Sequence, residues 1–314
     1  MNNIFRFLAR RLIYMVVTLL MISSLTFLLM NLLPGSPYNN EEKLTAGQRV
    51  LMNEKYGLDK PLAQRYVIYM GGVAQGDFGI SLQFGDQPVS KLLHNRIGPS
   101  VQLGLQAMLL GSTLGILLGT LAAMFHNSWL DTLASSLAIV GRSVPNFIFA
   151  VLLQLIFAIH LKWLPIGLWR DGFLSTILPT LALAIAPMAD SARFVRTEMI
   201  DALHSDYVEL ARAKGLSEWR IATRHGLRNA LIPLIAILGP MVVGLMTGSL
   251  VIENIFAVPG IGEQFIKSIL TNDYATIMAL TILYSTMLVA VILVTDILYS
   301  LIDPRIRVSG GGRT

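Results

Sequence analysis

The chain has 314 residues, 54% of them hydrophobic and 14% charged, whereas a soluble domain carries about 25% charged residues. That deficit excludes an ordinary soluble fold, and the absence of cysteine excludes disulfides, thiolate nucleophiles and cysteine-based metal sites. The formal charge of +5 follows from how basic residues are distributed around apolar segments, so it is no argument for a nucleic-acid partner.

The charge deficit is concentrated in long runs. No charged residue falls between Arg11 and Glu41, Arg96 and Asp131, Asp171 and Asp190, Arg228 and Glu253, or Asp273 and Asp296. A further run, Thr132 to His160, contains only Arg142. A bilayer-crossing helix needs roughly 20 mainly apolar residues, so these runs predict an all-α integral membrane protein with six transmembrane helices. The fourth run carries Pro179 and Pro187 and is short, and is expected to extend into the Ser191–Val195 region. The apolar stretch Leu12–Leu33 is longer than a signal-peptide core and is not followed by an A-x-A site, so it reads as a retained first span.

Lys and Arg near span ends set orientation. Arg6, Arg10 and Arg11 precede span one. Arg193, Arg196, Arg212, Lys214, Arg220, Arg224 and Arg228 lie between spans four and five, and Arg305, Arg307 and Arg313 follow span six. The opposite side has Lys162, Arg170 and Lys267 in its short loops. Both termini are therefore expected to be cytoplasmic. The chain divides into residues 1–33 (N-terminus and first span), 34–98 (an extracytoplasmic loop region), 99–305 (a membrane core with a cytoplasmic loop at 190–228) and a tail at 306–314.

Familiar catalytic patterns are missing. The dipeptide Gly-Lys does not occur, so there is no phosphate-binding loop, and the energy for any transport must come from elsewhere. His94, His126, His160, His204 and His225 have no metal-ligand spacing, so no metal site is expected. Arg142 and Asp296 are the ionisable residues clearly inside spans. They could pair, face a wet cavity, or contact a substrate. Asp190, at a span end, is expected to be solvated.

Span two carries Ala107, Gly111, Gly115, Gly119 and Ala123 at four-residue spacing, a ridge that lets another helix approach backbone to backbone, within this chain or from a second subunit. Gly244 and Gly248 repeat the pattern in span five.

The stretch "ELARAKGLSEWRIATRHGLRNALIP", from Glu209 to Pro233, is basic and Ala-rich. It predicts two short helices. Asp206 and Glu209 have capping-box spacing for the first, and Gly215 can close it in the left-handed conformation. Ser217 is a good N-cap for the second, with Leu216 and Ile221 as a hydrophobic staple. Ala211 and Ala213 keep the first helix thin, so that another surface could approach. The second helix continues through Arg224 and Arg228 into span five. The stretch suits passing motion between a soluble partner and the membrane, or anchoring to anionic lipid.

"ELARAKG" followed by "RHGLRNALIP" resembles the signature loop of binding-protein-dependent ABC importer permeases. It is similar to their peptide and nickel branch, as are "NLLPGSP", "YGLDKPLAQRY", "GDFGISLQFGDQPV", "SVPNF", "VIENIFAVPGIGE", "NDYATI" and "LIDPRIR". This chain departs in Leu210, His225, Ser36 and Ala275. The resemblance implies a type I ABC importer permease fold in a bacterial cytoplasmic membrane. It implies no cofactor in this chain, with ATP and Mg used by two cytoplasmic ATPase subunits. A homologous second permease and an extracellular substrate-binding protein, as a lipoprotein, complete the set. Glu209, Ala211, Arg212, Gly215 and Leu216 would couple to the ATPase. Phe256, Pro259, Gly260 and Gly262 would meet the binding protein, with the two glycines favouring a tight re-entrant turn. Arg142, Ser143, Asn146, Gln154, Thr247, Ser249, Asn254 and Asp296 are candidates for the pathway. The substrate implied is an oligopeptide or dipeptide, with nickel chelates, glutathione and sugars as alternatives. A stand-alone secondary carrier would need mid-membrane carboxylates and inverted repeats, which the sequence lacks.

Overall fold

A computed structural model describes residues 2–32, 45–55 and 57–302. The segment around Ser36 and the basic tail with Arg305, Arg307 and Arg313 lie outside the described residues. The chain forms two compact units, residues 1–98 with 260–289, and residues 99–259 with 290–314.

The first unit opens with α1 (Asn2–Leu32). Its apolar segment Ala9–Leu32 is 24 residues long and buries Ser23 and Met30 alone, the surface expected of a helix whose solvent is lipid. Between this helix and the second span come α2 (Ala46–Lys55), α3 (Leu62–Ala74) and a two-stranded hairpin, β1 (Ile80–Ser81) and β2 (Gln87–Pro88). The hairpin is antiparallel with Ile80 opposite Pro88 and Ser81 opposite Gln87. Helix α4 (Val89–Met124) follows directly. It starts before the expected boundary at Gly98 because "VSKLLHNRIG" is itself amphipathic: Val89, Leu92 and Leu93 are buried while Ser90, Lys91 and His94 are exposed.

In the second unit the expected third span is broken. Helix α5 (Trp129–Ser143) ends, and α6 (Asn146–Leu153) continues as a π-helical segment, Gln154–His160, in a direction bent by 101°. Pro145 is the cause, because a residue before proline is driven out of the α region. Val144 accordingly has φ −91° and ψ 126°. Helix α7 (Leu174–Leu203) does extend through Ser191–Val195, as expected, and the core of this unit is built around it. Then come α8 (Asp206–Ala213), α9 (Glu218–Ile221), a second π segment (Ala222–Leu227), α10 (Arg228–Met246) and α11 (Leu250–Ile255). The first unit resumes with α12 (Ile261–Leu270), and α13 (Tyr274–Ile302) closes the described chain. Among the described residues five helices are long and apolar enough to cross a membrane, and up to six spans result when the bent pair counts as one.

The small-residue ridge of α4 packs within the chain. A Cβ built on Gly111 would lie 2.4 Å from the carbonyl oxygen of Ala184, on Gly115 2.4 Å from that of Met188, and on Gly119 2.5 Å from that of Ala192. These α7 partners repeat every four residues too, so the two backbones run in register. Lipid tails give no hydrophobic drive for such contact, and close van der Waals packing holds it. Gly104 continues the seam against Leu245 and Met246 of α10. The expected repeat in span five is corrected: a Cβ on Gly244 meets nothing within 4 Å, and Gly248 has φ +87°, so it serves the turn after α10.

The first unit is held by a polar latch as well as by apolar clusters. Asp273, 2% exposed, precedes α13 and accepts from Thr276 Oγ1 at 2.8 Å and from the Thr276 backbone N–H. Ser81 Oγ of the hairpin donates to the same carboxyl. Burial pushes the Asp273 carboxyl above its ordinary value, with the Ser81 and Thr276 hydrogen bonds opposing that push.

Candidate functional site

The strongest candidate is the elbow between α7 and α10. Its position is set by the end of α7, where Ser205 leaves the helix with φ −83° and ψ 151°. The capping box expected from Asp206 and Glu209 is not formed. Ser205 occupies the N-cap position, and its hydroxyl donates to the Ala202 carbonyl instead of accepting from α8. Asp206 is the first helical residue, one place too late to cap, although its charge still suits a helix N-terminus.

The other end of α8 is as the sequence predicts. Gly215 has φ +76°. Its N–H donates to Arg212 O at 2.9 Å, and Leu216 N–H donates to Ala211 O at 3.2 Å. This pair of bonds is the Schellman arrangement that satisfies terminal carbonyls. Ser217 stands at the N-cap of α9 with extended backbone, though its side chain makes no cap bond. Leu216 and Ile221 pack in one apolar cluster with Val208, Ala211 and Leu203, which is the expected staple.

Side chains brace the elbow further. Arg212 donates to both Glu218 carboxylate oxygens, at 3.0 and 3.3 Å, and reaches Leu203 O at the end of α7 at 3.4 Å. Asn229 Nδ2 donates to Tyr207 Oη at 2.7 Å. Val208 and Ala211 turn inward, at 0% and 5% exposure. The smallness of Ala211 therefore serves packing inside this chain, while Glu209, Ala213 and Lys214 face outward. Leu210 and Trp219 join them, at 57% and 61% exposure. Sequence reasoning missed these two as surface residues, yet large apolar side chains in a basic segment were the available signal. The chain then continues from α9 through the π segment into α10 without a break.

Beside the elbow-bearing half of α7 lies a cavity of 340 Å³ lined by Arg142, Ser143, Asp190, Arg193 and Arg196 among small residues. Arg142 Nε is 3.6 Å from Asp190 Oδ1, so Asp190 is its partner rather than a simply solvated end residue. The side chain of Asp296 lies outside the described residues. Asp131, 4% exposed, takes Arg196 Nη2 at 2.9 Å and the Asn127 N–H at 3.0 Å, with His126 Nδ1 also at 3.0 Å.

Four of the remaining pathway candidates are hydrogen-bonded to backbone groups of this chain. Gln154 Nε2 donates to Ile166 O and to Ile255 O, Thr247 to Val243 O, and Asn254 to Leu250 O. Ser249 caps α11 by accepting from Ile252 N–H, and Asn146 opens α6, half-buried. Of the residues expected to meet a binding protein, Pro259 is exposed, but Phe256 is 1% exposed and belongs to the core around Leu178 and Ile252. A fully buried ring cannot offer itself as surface. Ala257, with φ +49°, makes the turn after α11. Gly260 is the N-cap of α12 with extended backbone, and Gly262 is buried in its first turn, so neither supplies a left-handed turn residue. Glu253, inside the quoted "VIENIFAVPGIGE", is 1% exposed and accepts from Ser100 Oγ at 2.6 Å. Nothing in a single sequence distinguished it from a surface acid.

Long apolar helices and a capped elbow between two of them describe a multi-pass membrane protein. Residues 115–308 match the family described as "Binding-protein-dependent transport system inner membrane component", and residues 4–90 match "Binding-prot-dependent transport system membrane comp, N-term". The chain belongs to this family and is a multi-pass inner-membrane permease component. It is 47% identical over 302 residues to the dipeptide transport system permease protein DppB of Lactococcus lactis subsp. cremoris, covering 96% of this chain and 99% of that one. It is 42% identical over 303 residues to the oligopeptide transport system permease protein OppB of Haemophilus influenzae, with coverage of 96% and 99%. Among solved structures, a chain of the MetNI methionine ABC transporter in an inward-facing crystal form is similar in fold. The TM-score is 0.56 at 19% identity, over 68% of this chain and 96% of that one.

Proposed function

We propose that this permease imports di- or oligopeptides, forming the translocation pathway with a homologous second permease. The observation that carries the substrate class is its 47% identity, over nearly its whole length, to a protein named as a dipeptide permease. Two cytoplasmic ATPase subunits supply the energy through ATP and Mg, and an extracellular binding protein delivers the peptide. Both termini and the elbow are cytoplasmic, which fits the basic residues flanking spans one, four, five and six. Helix α8 couples the membrane helices to an ATPase through its outward residues Glu209 and Leu210, with Gly215, Leu216 and Arg212 fixing its angle.

The test is gentle extraction of the tagged chain from its native membrane, identification of what copurifies, and mass measurement of any ligand released from the binding protein. Two ATPases, a second permease and bound peptides are the expected recovery. The same assembly holding a nickel chelate, glutathione or a sugar would keep the mechanism and overturn the substrate. Recovery of the chain alone under conditions that preserve a known importer would overturn the mechanism as well.

A further inference from the structure

Helix α3 belongs to what the sequence presents as a loop outside the membrane, yet its contacts place it deep along α1. Tyr66 Oη lies 2.9 Å from Ser23 Oγ, accepts from Ser24 Oγ at 2.8 Å, and reaches Leu20 O at 3.5 Å. The Tyr66 ring sits 5.3 Å from that of Phe27, and the Arg65 guanidinium stands 6.0 Å from the same ring. Tyr69 packs against the cluster of Met30, Ile277 and Met278.

Depth follows from helix geometry. At 1.5 Å per residue, Ser23 lies roughly 14 Å and Leu20 roughly 18 Å inward of Leu32. The apolar segment Ala9–Leu32 is then about 36 Å long against a hydrocarbon core of about 30 Å. Ser23 is therefore about 10 Å inside the hydrocarbon and Leu20 is close to mid-membrane. A tyrosine side chain is shorter than that depth, so the Tyr66 backbone itself lies inside the hydrocarbon edge beside α1.

The composition of α3 agrees independently. Arg65 is the one charged residue in "LAQRYVIYMGGVA". The exposed face of α3 consists of Ala63, Gln64, Val67, Gly71 and Ala74, with Val67 at 68%, while Ile68 lines a cavity with Phe27 and Met30 of α1. A helix bathed in water puts charged and polar residues on that face. Here a single glutamine does so, and the neighbouring surface of α1 is equally apolar, with Leu25, Leu28 and Leu29 exposed. With 13 residues the helix is too short to cross, since a span needs about 20, but as a helix it satisfies its own backbone in lipid.

We infer that α3 is an interfacial helix immersed in one leaflet of the bilayer beside α1, with Ala63, Val67, Gly71 and Ala74 against lipid acyl chains. Tyr66 and the serine pair fix its depth, and Arg65 directs its charge outward along the Phe27 ring. The inference requires only that α1 crosses the bilayer and is independent of the substrate.

The natural absence of cysteine makes a direct test available. Single cysteines at Val67, Ala63 and Ala74, with Lys91→Cys as the aqueous control, are introduced into the full assembly reconstituted in phosphatidylcholine vesicles. Reaction with a membrane-impermeant maleimide is expected at least about tenfold slower at the three α3 positions than at position 91, as for residues below the headgroups. A bimane attached at position 67 is expected to be quenched by lipids carrying a nitroxide on the acyl chain. If the Val67→Cys protein fails to assemble, the alanine positions report the same face with little change in volume. Labelling of α3 at the control rate would overturn the inference. Protection without quenching by the labelled lipids would assign the face to a protein partner and overturn it too.

Discussion

Two regions hold their elements together in opposite ways. The seam between α4 and α7 is built on shape: glycines at 111, 115 and 119 admit the carbonyls of residues 184, 188 and 192, with one neutral hydrogen bond between the helices, from Thr180 Oγ1 to Gln106 Oε1. The latch between the hairpin and α13 uses hydrogen bonds to one buried carboxyl, Asp273, from Ser81 and Thr276. Shape tolerates no added atom and is indifferent to pH. A buried carboxyl tolerates small changes of shape but depends on its protonation and on every donor.

Gly115→Leu tests the first kind of contact and should have the largest effect. Overpacking a helix contact that is already closed costs upwards of about 3 kcal/mol, so the chain should nearly vanish from the membrane fraction on quantitative immunoblots. Gly244→Ala, where nothing lies within 4 Å, should leave that amount unchanged. Normal accumulation and uptake in Gly115→Leu would show that the seam is not close-packed.

Gly215→Val isolates a third kind of constraint, backbone handedness. A left-handed residue that is not glycine costs about 1–2 kcal/mol, and a β-branched one suits the conformation worst. The chain should remain in the membrane while uptake falls about tenfold relative to ATP hydrolysis, since a fraction of elbows loses the angle set by φ +76°. Gly215→Asn should restore most of the uptake, because Asn visits this conformation readily. Undiminished uptake in Gly215→Val would remove the elbow from the coupling route.

The latch should respond more gently. Ser81→Ala removes one donor from a buried carboxyl and should cost about 1–3 kcal/mol, seen as faster hydrogen exchange in the hairpin. Because the folded Asp273 carboxyl titrates above its ordinary value, its stabilising contribution is fully present below the ordinary carboxylate range. It is lost as pH rises through the raised value. Protection of the hairpin should therefore fall as pH rises across that window, and Asp273→Asn should flatten the dependence.

Arg142→Gln should have the smallest effect of the disruptive changes. Its side chain is 63% exposed and the contact with Asp190 is 3.6 Å, so the pair is worth at most about 0.5 kcal/mol in stability. Any larger loss of uptake would mark the residue as part of the pathway, and exchanging the two charges would then tell pairing from substrate contact.

The spans were legible because excluding charge from a bilayer leaves long uncharged runs. The elbow was legible because Gly215 has a specific backbone conformation to supply. Local signals failed where neighbours decide. The sequence predicts Thr132–His160 as one span, with Pro145 within "SVPNF" not read as a break, so the 101° bend is missed. Gly111, Gly115 and Gly119 looked like Gly244 and Gly248 in spacing, and only the facing helix distinguishes a seam from an open groove. Asp206 and Ser205 are both capping residues, and one position decided which stands at the helix start. Phe256 sits in a run that looks like surface loop, and its burial comes from residues far away in sequence. The apolar character of α3 was visible, but its length, below that of a span, hid what it rests against.

The seam also has a mechanical meaning. Helix α4 is locked to α7 at three successive turns and to α10 at Gly104, while the elbow joins the C-terminal end of α7 to the N-terminal end of α10 through α8 and α9. Those three helices and the elbow make a closed, triangulated frame. Under the proposed coupling, a push on α8 would not slide α7 along α4, because each glycine sits in a notch that repeats only one full turn away. It would tilt the whole frame, as a lever turns about its bearing.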